Sequence, residues 1–260
     1  MGLDPGVGCR IYASQTLWLL GYPVQAFTHL HDALTLAHEL SHAYSLVLAR
    51  CYATYVYQFC RDVPAVRAQA EAAIVLATEQ GFTQWAAQGT ILRGWAMAMQ
   101  GQGEEGLAQV RLGLTTWRDT GAAAWFVPYF CTLLTEVSDH LGHIADGLQV
   151  LAEAHTLVKQ HEEHWWEAEI YRIRGVLLLR QAVPQPEEAE ACFQRALEVA
   201  RRQQAKSLEL RAALSLARLW QQQGKRREAH DLLVSVYGWF TEGFDTADLQ
   251  EARALLEELA

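Results

Sequence analysis

Several features that would assign this chain to a familiar class are missing from it. No apolar run approaches the roughly 18–20 residues needed to cross a bilayer. The opening Met1-Gly2-Leu3-Asp4-Pro5-Gly6 has neither the basic start nor the apolar core of a signal peptide. A soluble, cytoplasmic protein with no membrane partner is therefore expected. The cysteines Cys9, Cys51, Cys60, Cys131 and Cys192 are odd in number and form no CxxC pair, which excludes a disulfide framework or a zinc knuckle. They read as buried, reduced thiols. No GxxxxGK(S/T) phosphate loop is present, and no segment sustains the apolar–polar alternation of a strand.

Positive charge is also scarce. Lys and Arg total 21 against 30 Asp and Glu, a formal net charge of −9, and the only lysines are Lys159, Lys206 and Lys225. A general nucleic-acid or anionic-membrane binder relies on a positive surface field, so those classes are excluded. Asparagine is absent altogether. What remains is an ordinary globular composition, 51% hydrophobic and 20% charged over 260 residues, which argues against disorder.

The chain repeats. GYPVQAFTHLHDAL (21–34), CRDVPAVRAQAEAAI (60–74), GQGEEGLAQVRLGL (101–114), LGHIADGLQVLAEAH (141–155), PQPEEAEACFQRAL (184–197) and GKRREAHDLLVSVY (224–237) each carry a turn followed by a small residue. Those small residues, Ala26, Ala65, Gly106, Gly147, Ala189 and Ala229, are spaced by 39, 41, 41, 42 and 40 residues. Partner helices lie between them, over 46–60, 91–100, 129–141, 168–181 and 208–223, with apolar residues at the helical period. Gly21, Gly81, Gly101, Gly121, Gly142 and Gly224 stand where helices should stop. Each unit reads as helix A, tight turn, helix B. One pair alone leaves an apolar face bare, and stacking completes the core.

This pattern resembles the tetratricopeptide repeat, with Ser14, Ala53, Gly94, Thr135, Gly175 and Ala217 as the small positions in mid-helix A. The clearest copies are Gly175…Ala189-Phe193-Ala196 and Ala217…Gly224-Ala229-Leu233. Copy two departs, with Cys60 at the turn, and copy five carries an insertion that includes Pro184-Gln185-Pro186. The long period is similar to repeats of bacterial signal-transduction ATPases of the maltose-activator type. LATEQGF (76–82), GTILRGWAMAMQGQGEEGLAQVRLGL (89–114) and ARRQQAKSLELRAALSLARLWQQQGKRREAHDLL (200–233) resemble the C-terminal repeat region of large bacterial cyclase or AAA-type ATPase regulators.

The resemblance implies an all-α, right-handed α-solenoid of about six helix pairs forming one domain over 1–260. The expected repeats are 5–41, 42–81, 82–121, 122–162, 163–204 and 205–243, with a cap over 246–258 started by Thr246 or Asp245. It also implies a non-catalytic, cofactor-free regulatory scaffold. Its partner would be a protein or peptide in the concave groove, and its output an adjacent ATPase or cyclase.

The resemblance places the groove on helix A, three residues before the small position and one and four after it, a set that shares one helical face. Its candidate groove residues are Arg50, Tyr57, Trp95, Glu136, Arg172 and Arg218, with Tyr129 and Arg211 one turn earlier. Aromatic and Arg side chains dominate binding hot spots, and Arg forks suit carboxylates and phosphates. An anionic small effector is thus an alternative occupant. Trp95 and Tyr57 could equally fill the groove's own core. Without asparagine, the carboxylate clamp of chaperone-type repeats cannot take its usual form.

Two motifs invite an enzymatic reading. His38-Glu39-Leu40-Ser41-His42 satisfies HExxH, whose zinc chemistry needs both imidazoles on one helical face. A break is expected inside it, with Ser41 as the N-cap of the next helix. The zinc hydrolase is therefore a remote alternative, and no metal or catalytic residue is expected. Gly101-Gln102-Gly103-Glu104-Glu105-Gly106 satisfies GxGxxG, but a helix precedes it and carboxylates occupy the loop. The first helix should also leave Ile11, Tyr12, Leu17, Trp18, Leu19 and Leu20 without a preceding repeat, so homodimerisation through the N-terminal pair is expected.

Overall fold

A computed structural model describes residues 2–121 and 124–260. Among these the chain is all helix and turn, with no strand. Its helices are α1 (Pro5–Leu19), α2 (Pro23–Glu39), α3 (Ala43–Phe59), α4 (Val63–Glu79), α5 (Thr83–Met99), α6 (Gly103–Asp119), α7 (Val127–His140), α8 (Ile144–His161), α9 (Glu167–Arg180), α10 (Pro186–Gln203), α11 (Lys206–Gln222), α12 (Arg226–Tyr237) and α13 (Ala247–Leu259). Odd helices pack on their odd neighbours, α1 on α3 through to α11 on α13, and form an inner layer. Each even helix packs on the odd helices that flank it in sequence and lies outside. The result is an α-solenoid.

Small residues set the A–B spacing. A Cβ added to Gly94 would lie 2.7 Å from the Gly106 carbonyl, and one on Gly106 would lie 2.5 Å from that of Gly94. In the first unit Ser14 donates to the Ala26 carbonyl at 2.7 Å. In the fifth, Gly175 makes room for the ring of Phe193.

The turns follow one rule. Within a pair, the residue before the N-cap of helix B adopts positive φ at Gly21, Arg61, Gly101, Gly142 and Gly224. Arg61, at φ 59, takes the place that glycine holds in the other four. Repeat two is therefore registered one residue later than the expectation built on Cys60. Counted from that turn, the positions equivalent to Gly94 and Gly106 are Thr54 and Val66, both fully buried, where the expectation had Ala53, which is also buried, and Ala65, which is half-buried. Thr54 supports itself by donating to the Cys51 carbonyl at 2.6 Å and accepting from Gln88 Nε2 at 3.2 Å.

Between pairs, the expected N-cap at Ser41 is also displaced. Ser41 is the left-handed turn residue, at φ 51, and His42 occupies the N-cap of α3. The GxGxxG segment is a helix-to-helix turn in which Gly101 has positive φ and Gly103 begins α6. Thr246 stands at the N-cap of α13, though its hydroxyl donates to the Gly243 carbonyl at 2.7 Å.

The array closes on itself. Ser207 of α11 donates to the Trp18 carbonyl at 2.5 Å. The Glu242 carboxylate accepts from the Val24 and Gln25 amides at the start of α2, at 2.9 and 3.1 Å. Those amides are orphan donors of a helix N-terminus, so an anion there is favourable. Tyr22 packs on Trp239, with ring centroids 5.3 Å apart.

This closure corrects the expected bare N-terminal edge. Ile11 and Trp18 are buried within the chain, Trp18 against Phe59 and under the Arg211 guanidinium. Tyr12 remains exposed, and Leu17, Leu19 and Leu20 are half-buried.

Candidate functional site

Inside the closed array the inner helices converge on an aromatic floor. Trp18 meets Phe59 at 4.6 Å between ring centroids, Phe59 meets Trp166 at 5.0 Å, and Trp166 meets Tyr129 at 5.2 Å. Such pairs contribute about 0.5–1.5 kcal/mol each beyond their buried area. Tyr129 is fully buried, and its hydroxyl donates to Gln58 Oε1 at 3.0 Å.

Beside this floor lies a pocket of about 360 Å3. Gln58 of α3 and Arg61 of the following turn form one wall, and α5 adds Trp95 and Met99. Helix α7 contributes Glu136, Asp139 and His140, while α9 contributes Glu169, Arg172 and Arg180. Arg211, Leu214, Ser215 and Arg218 come from α11, and Asp248 and Glu251 from α13.

Its charges are heavily paired. Arg172 holds Glu169 in a two-pronged bond at 2.7 and 2.8 Å. Arg211 reaches Asp248 at 2.8 Å and Glu169 at 3.3 Å, donates to the Phe59 carbonyl, and lies 5.0 Å from the Trp18 ring centroid. Arg61 bridges Asp248 and Glu251, Arg218 holds Glu251 at 2.8 Å, and Arg180 holds Asp139 at 2.5 Å.

These pairs tune the acids. Burial pushes the Glu169 and Asp248 carboxyls up, but the guanidinium charges, Arg172 then Arg211 for Glu169 and Arg211 then Arg61 for Asp248, outweigh it and leave both below their ordinary pKa. Glu136 moves the other way. Burial and then the neighbouring Glu169 charge raise it, and only partial relief comes from Trp95 Nε1, which donates to it at 2.7 Å. Asp139 is raised by burial despite Arg180.

Of the residues expected to line the groove, Trp95, Glu136, Arg172, Arg211 and Arg218 meet in this pocket, and Tyr129 lies buried in the floor. Arg50 and Tyr57 do not join them. Arg50 points to Gln69 of α4, at 3.0 Å, and Tyr57 packs on Phe27 of α2 at 5.4 Å. Both misplacements follow from the one-residue shift in repeat two. The same rule applied from Thr54 selects Cys51, Tyr55 and Gln58, of which Gln58 lines the pocket, Tyr55 packs on Tyr129 of the floor and Cys51 packs against α4. Asp139, four residues after Thr135, lies on the inward stripe and does line the pocket. Sequence reasoning missed Arg61, Arg180, Glu169, Asp248 and Glu251, and α13 meets the pocket only through tertiary closure.

The HExxH residues are split by the helix break. His38 lies in the last turn of α2, and His42 Nδ1 pairs with Ser45 Oγ at 2.7 Å. Among the described residues, no group of three or more His, Cys, Asp or Glu is placed to hold a metal ion. No helix there is long and apolar enough to cross a membrane.

No protein-family profile matches the chain, and no curated protein matches it in sequence. Solved structures do. A Rap protein complexed with competence and sporulation factor aligns with a TM-score of 0.67 at 11% identity, over 100% of this chain and 75% of that one. The apo form of RapI aligns with a TM-score of 0.63 at 10% identity, over 98% and 86%. A signal transduction ATPase with numerous domains from Pyrococcus horikoshii, with a tetratricopeptide repeat sensor, gives 0.54 at 13% identity, over 97% and 38%. At these identities the likeness concerns the fold, and it places the chain among helical, tetratricopeptide-like repeat solenoids.

Proposed function

We propose that the chain is a non-catalytic interaction scaffold of a signalling protein. It takes a peptide or protein partner at the inner-face pocket and passes that binding to an ATPase or cyclase. The observation that carries this reading is the convergence of Trp95, Glu136, Arg172, Arg218 and Glu251 from separate helices on one pocket. Ordered groups brought together by a rigid repeat array cost little to immobilise on binding. Two similar structures support the class of function, one a Rap protein complexed with a competence and sporulation factor and one a signalling ATPase with a repeat sensor.

Two alternatives lose ground. An anionic effector would need free guanidinium groups, yet each arginine lining the pocket already holds a carboxylate. Zinc hydrolysis would need the two motif histidines on one helix. Ser215 in the pocket wall donates to the Arg211 carbonyl at 3.0 Å. Pairing of two copies through the first helix pair would rest on the exposed Tyr12 and Val24. Light scattering tests it, since a wild-type monomer at high concentration excludes it.

Peptide display against the whole chain tests the main reading. Selected peptides should change about tenfold or more in affinity, about 1.4 kcal/mol, when the rim is reversed by Arg180→Glu with Arg218→Glu, a gain marking a cationic partner and a loss an anionic one. Selected peptides that bind this variant as well as the wild type would overturn it, as would a display yielding no binder.

A further inference from the structure

The pocket's arginines and acids are not equally satisfied. Arg61, Arg172, Arg180, Arg211 and Arg218 each hold a carboxylate. Glu136 is different. Among the described residues it takes part in no ion pair; it accepts from the neutral Trp95 indole at 2.7 Å, while the nearby Arg172 and Arg211 are committed to Glu169 and Asp248. One helical turn further along α7, Asp139 gives one oxygen to Arg180, and its buried Oδ1 has no hydrogen-bond partner among the described residues. Two carboxylates on one face of α7 therefore line a cavity of about 360 Å3, and Glu136 faces it with acceptor capacity unused, while the spare oxygen of Asp139 lies buried beneath its surface.

We propose that this pocket is a receptor for a cationic side chain or amino group. An ammonium or guanidinium carried by the partner would enter between Glu136 and Asp139, with the Trp95 and Met99 side chains flanking its alkyl stem. This deepens the scaffold reading above and rests on it, naming the chemistry that the partner must present. It also runs against the alternative of an anionic effector offered by the groove arginines. Burial and then the Glu169 charge raise the Glu136 carboxyl, and Trp95, Arg172 and Arg211 relieve it only in part, so a further cation beside it is favoured. A bound cation would supply that charge in a partly dry pocket, where a charge-assisted hydrogen bond is strong. A bound anion would instead have to displace an internal carboxylate from an arginine.

Nα-acetyl-lysine methylamide, its norleucine counterpart without the amine and its glutamate counterpart serve as probes. Binding to the full chain is followed by the indole N–H resonance of Trp95. The lysine compound should shift that signal. The norleucine and glutamate compounds should bind at least tenfold more weakly. Glu136→Gln, which keeps an acceptor for the Trp95 indole, should weaken the lysine compound at least tenfold. Asp139→Asn serves as a second variant. Equal binding of the norleucine or glutamate compound, binding by none of the three, or lysine binding within twofold of wild type in both variants would each overturn the proposal. The two readings separate in the peptide display. Peptides sensitive to the rim reversal but indifferent to Glu136→Gln would leave the scaffold reading standing and remove the cation site.

Discussion

Arg211 is where the fold and the pocket are most tightly joined, and its removal gives a quantitative test. The side chain is 8% exposed, and its partners Glu169 and Asp248 are 1% and 14% exposed. Arg211→Met fills much of the same volume without the charge. Breaking a buried pair leaves an uncompensated charge and costs about 3–5 kcal/mol. Two features move the expectation to the lower end, because Glu169 keeps its two-pronged bond to Arg172 and Asp248 keeps Arg61. The loss of the contact with Trp18 adds to it. A cost of about 3 kcal/mol corresponds to a fall in Tm of about 6–12 °C for a chain of this size.

The same argument fixes a pH dependence. Asp248 and Glu169 have folded-state pKa values below their ordinary 3.8 and 4.5. Their stabilising contribution is therefore complete above those ordinary values and is lost as pH falls through the depressed ones. The gap between wild type and Arg211→Met, measured by urea unfolding, should narrow below about pH 4. Adding Asp248→Asn to Arg211→Met should recover part of the loss, with a coupling of about 0.5–3 kcal/mol. A single variant within about 0.5 kcal/mol of wild type, the ordinary range for surface substitutions, would refute the reasoning. So would a double variant that merely adds the two single effects.

Three further outcomes are expected. Gly94→Ala sets a methyl 2.7 Å from the Gly106 carbonyl and should cost about 1–3 kcal/mol in chemical denaturation. Ser41→Gly relieves a left-handed backbone at φ 51 and should raise stability by about 1 kcal/mol in the same assay. Glu136→Gln should stabilise the unliganded chain at neutral pH. The raised folded-state pKa of Glu136 means that stability falls as pH rises from 4.5 through that higher value. Thermal melts of the two proteins should therefore diverge above this window and converge below pH 4.5.

The helix pairs were legible because their determinants are local. Glycines at the turns, small residues facing across each pair and apolar residues at the helical period all act within about 40 residues. Repeat two shows the limit of that legibility. Its turn carries Arg61 in a conformation usually reserved for glycine. With the marker gone, the pattern points to Cys60 as the turn, and every inward position of α3 is set one residue too early. One residue is about a quarter of a helical turn, enough to send Arg50 and Tyr57 to the flanks and bring Tyr55 and Gln58 inside. The pocket was legible only on the sides built by α5, α7, α9 and α11. Its remaining side comes from contacts such as Arg61–Asp248 and Arg211–Phe59, across separations of 187 and 152 residues. No repeat pattern encodes those contacts.

That closure also decides the sign of the site. A repeat solenoid is ordinarily stabilised by each unit against its neighbours, and its inner surface is the sum of what the units present. Here the inner surface of the repeats alone offers arginines from α9 and α11 and the turn after α3. That surface by itself favours the alternative of an anionic effector. Helix α13 changes it by placing Asp248 on Arg61 and Arg211 and Glu251 on Arg61 and Arg218. Three guanidinium groups are thereby engaged by two carboxylates from within, and Glu136 is left as the acceptor with capacity to spare. A helix whose apolar face closes the last repeat thus uses its polar face to set what the pocket can bind.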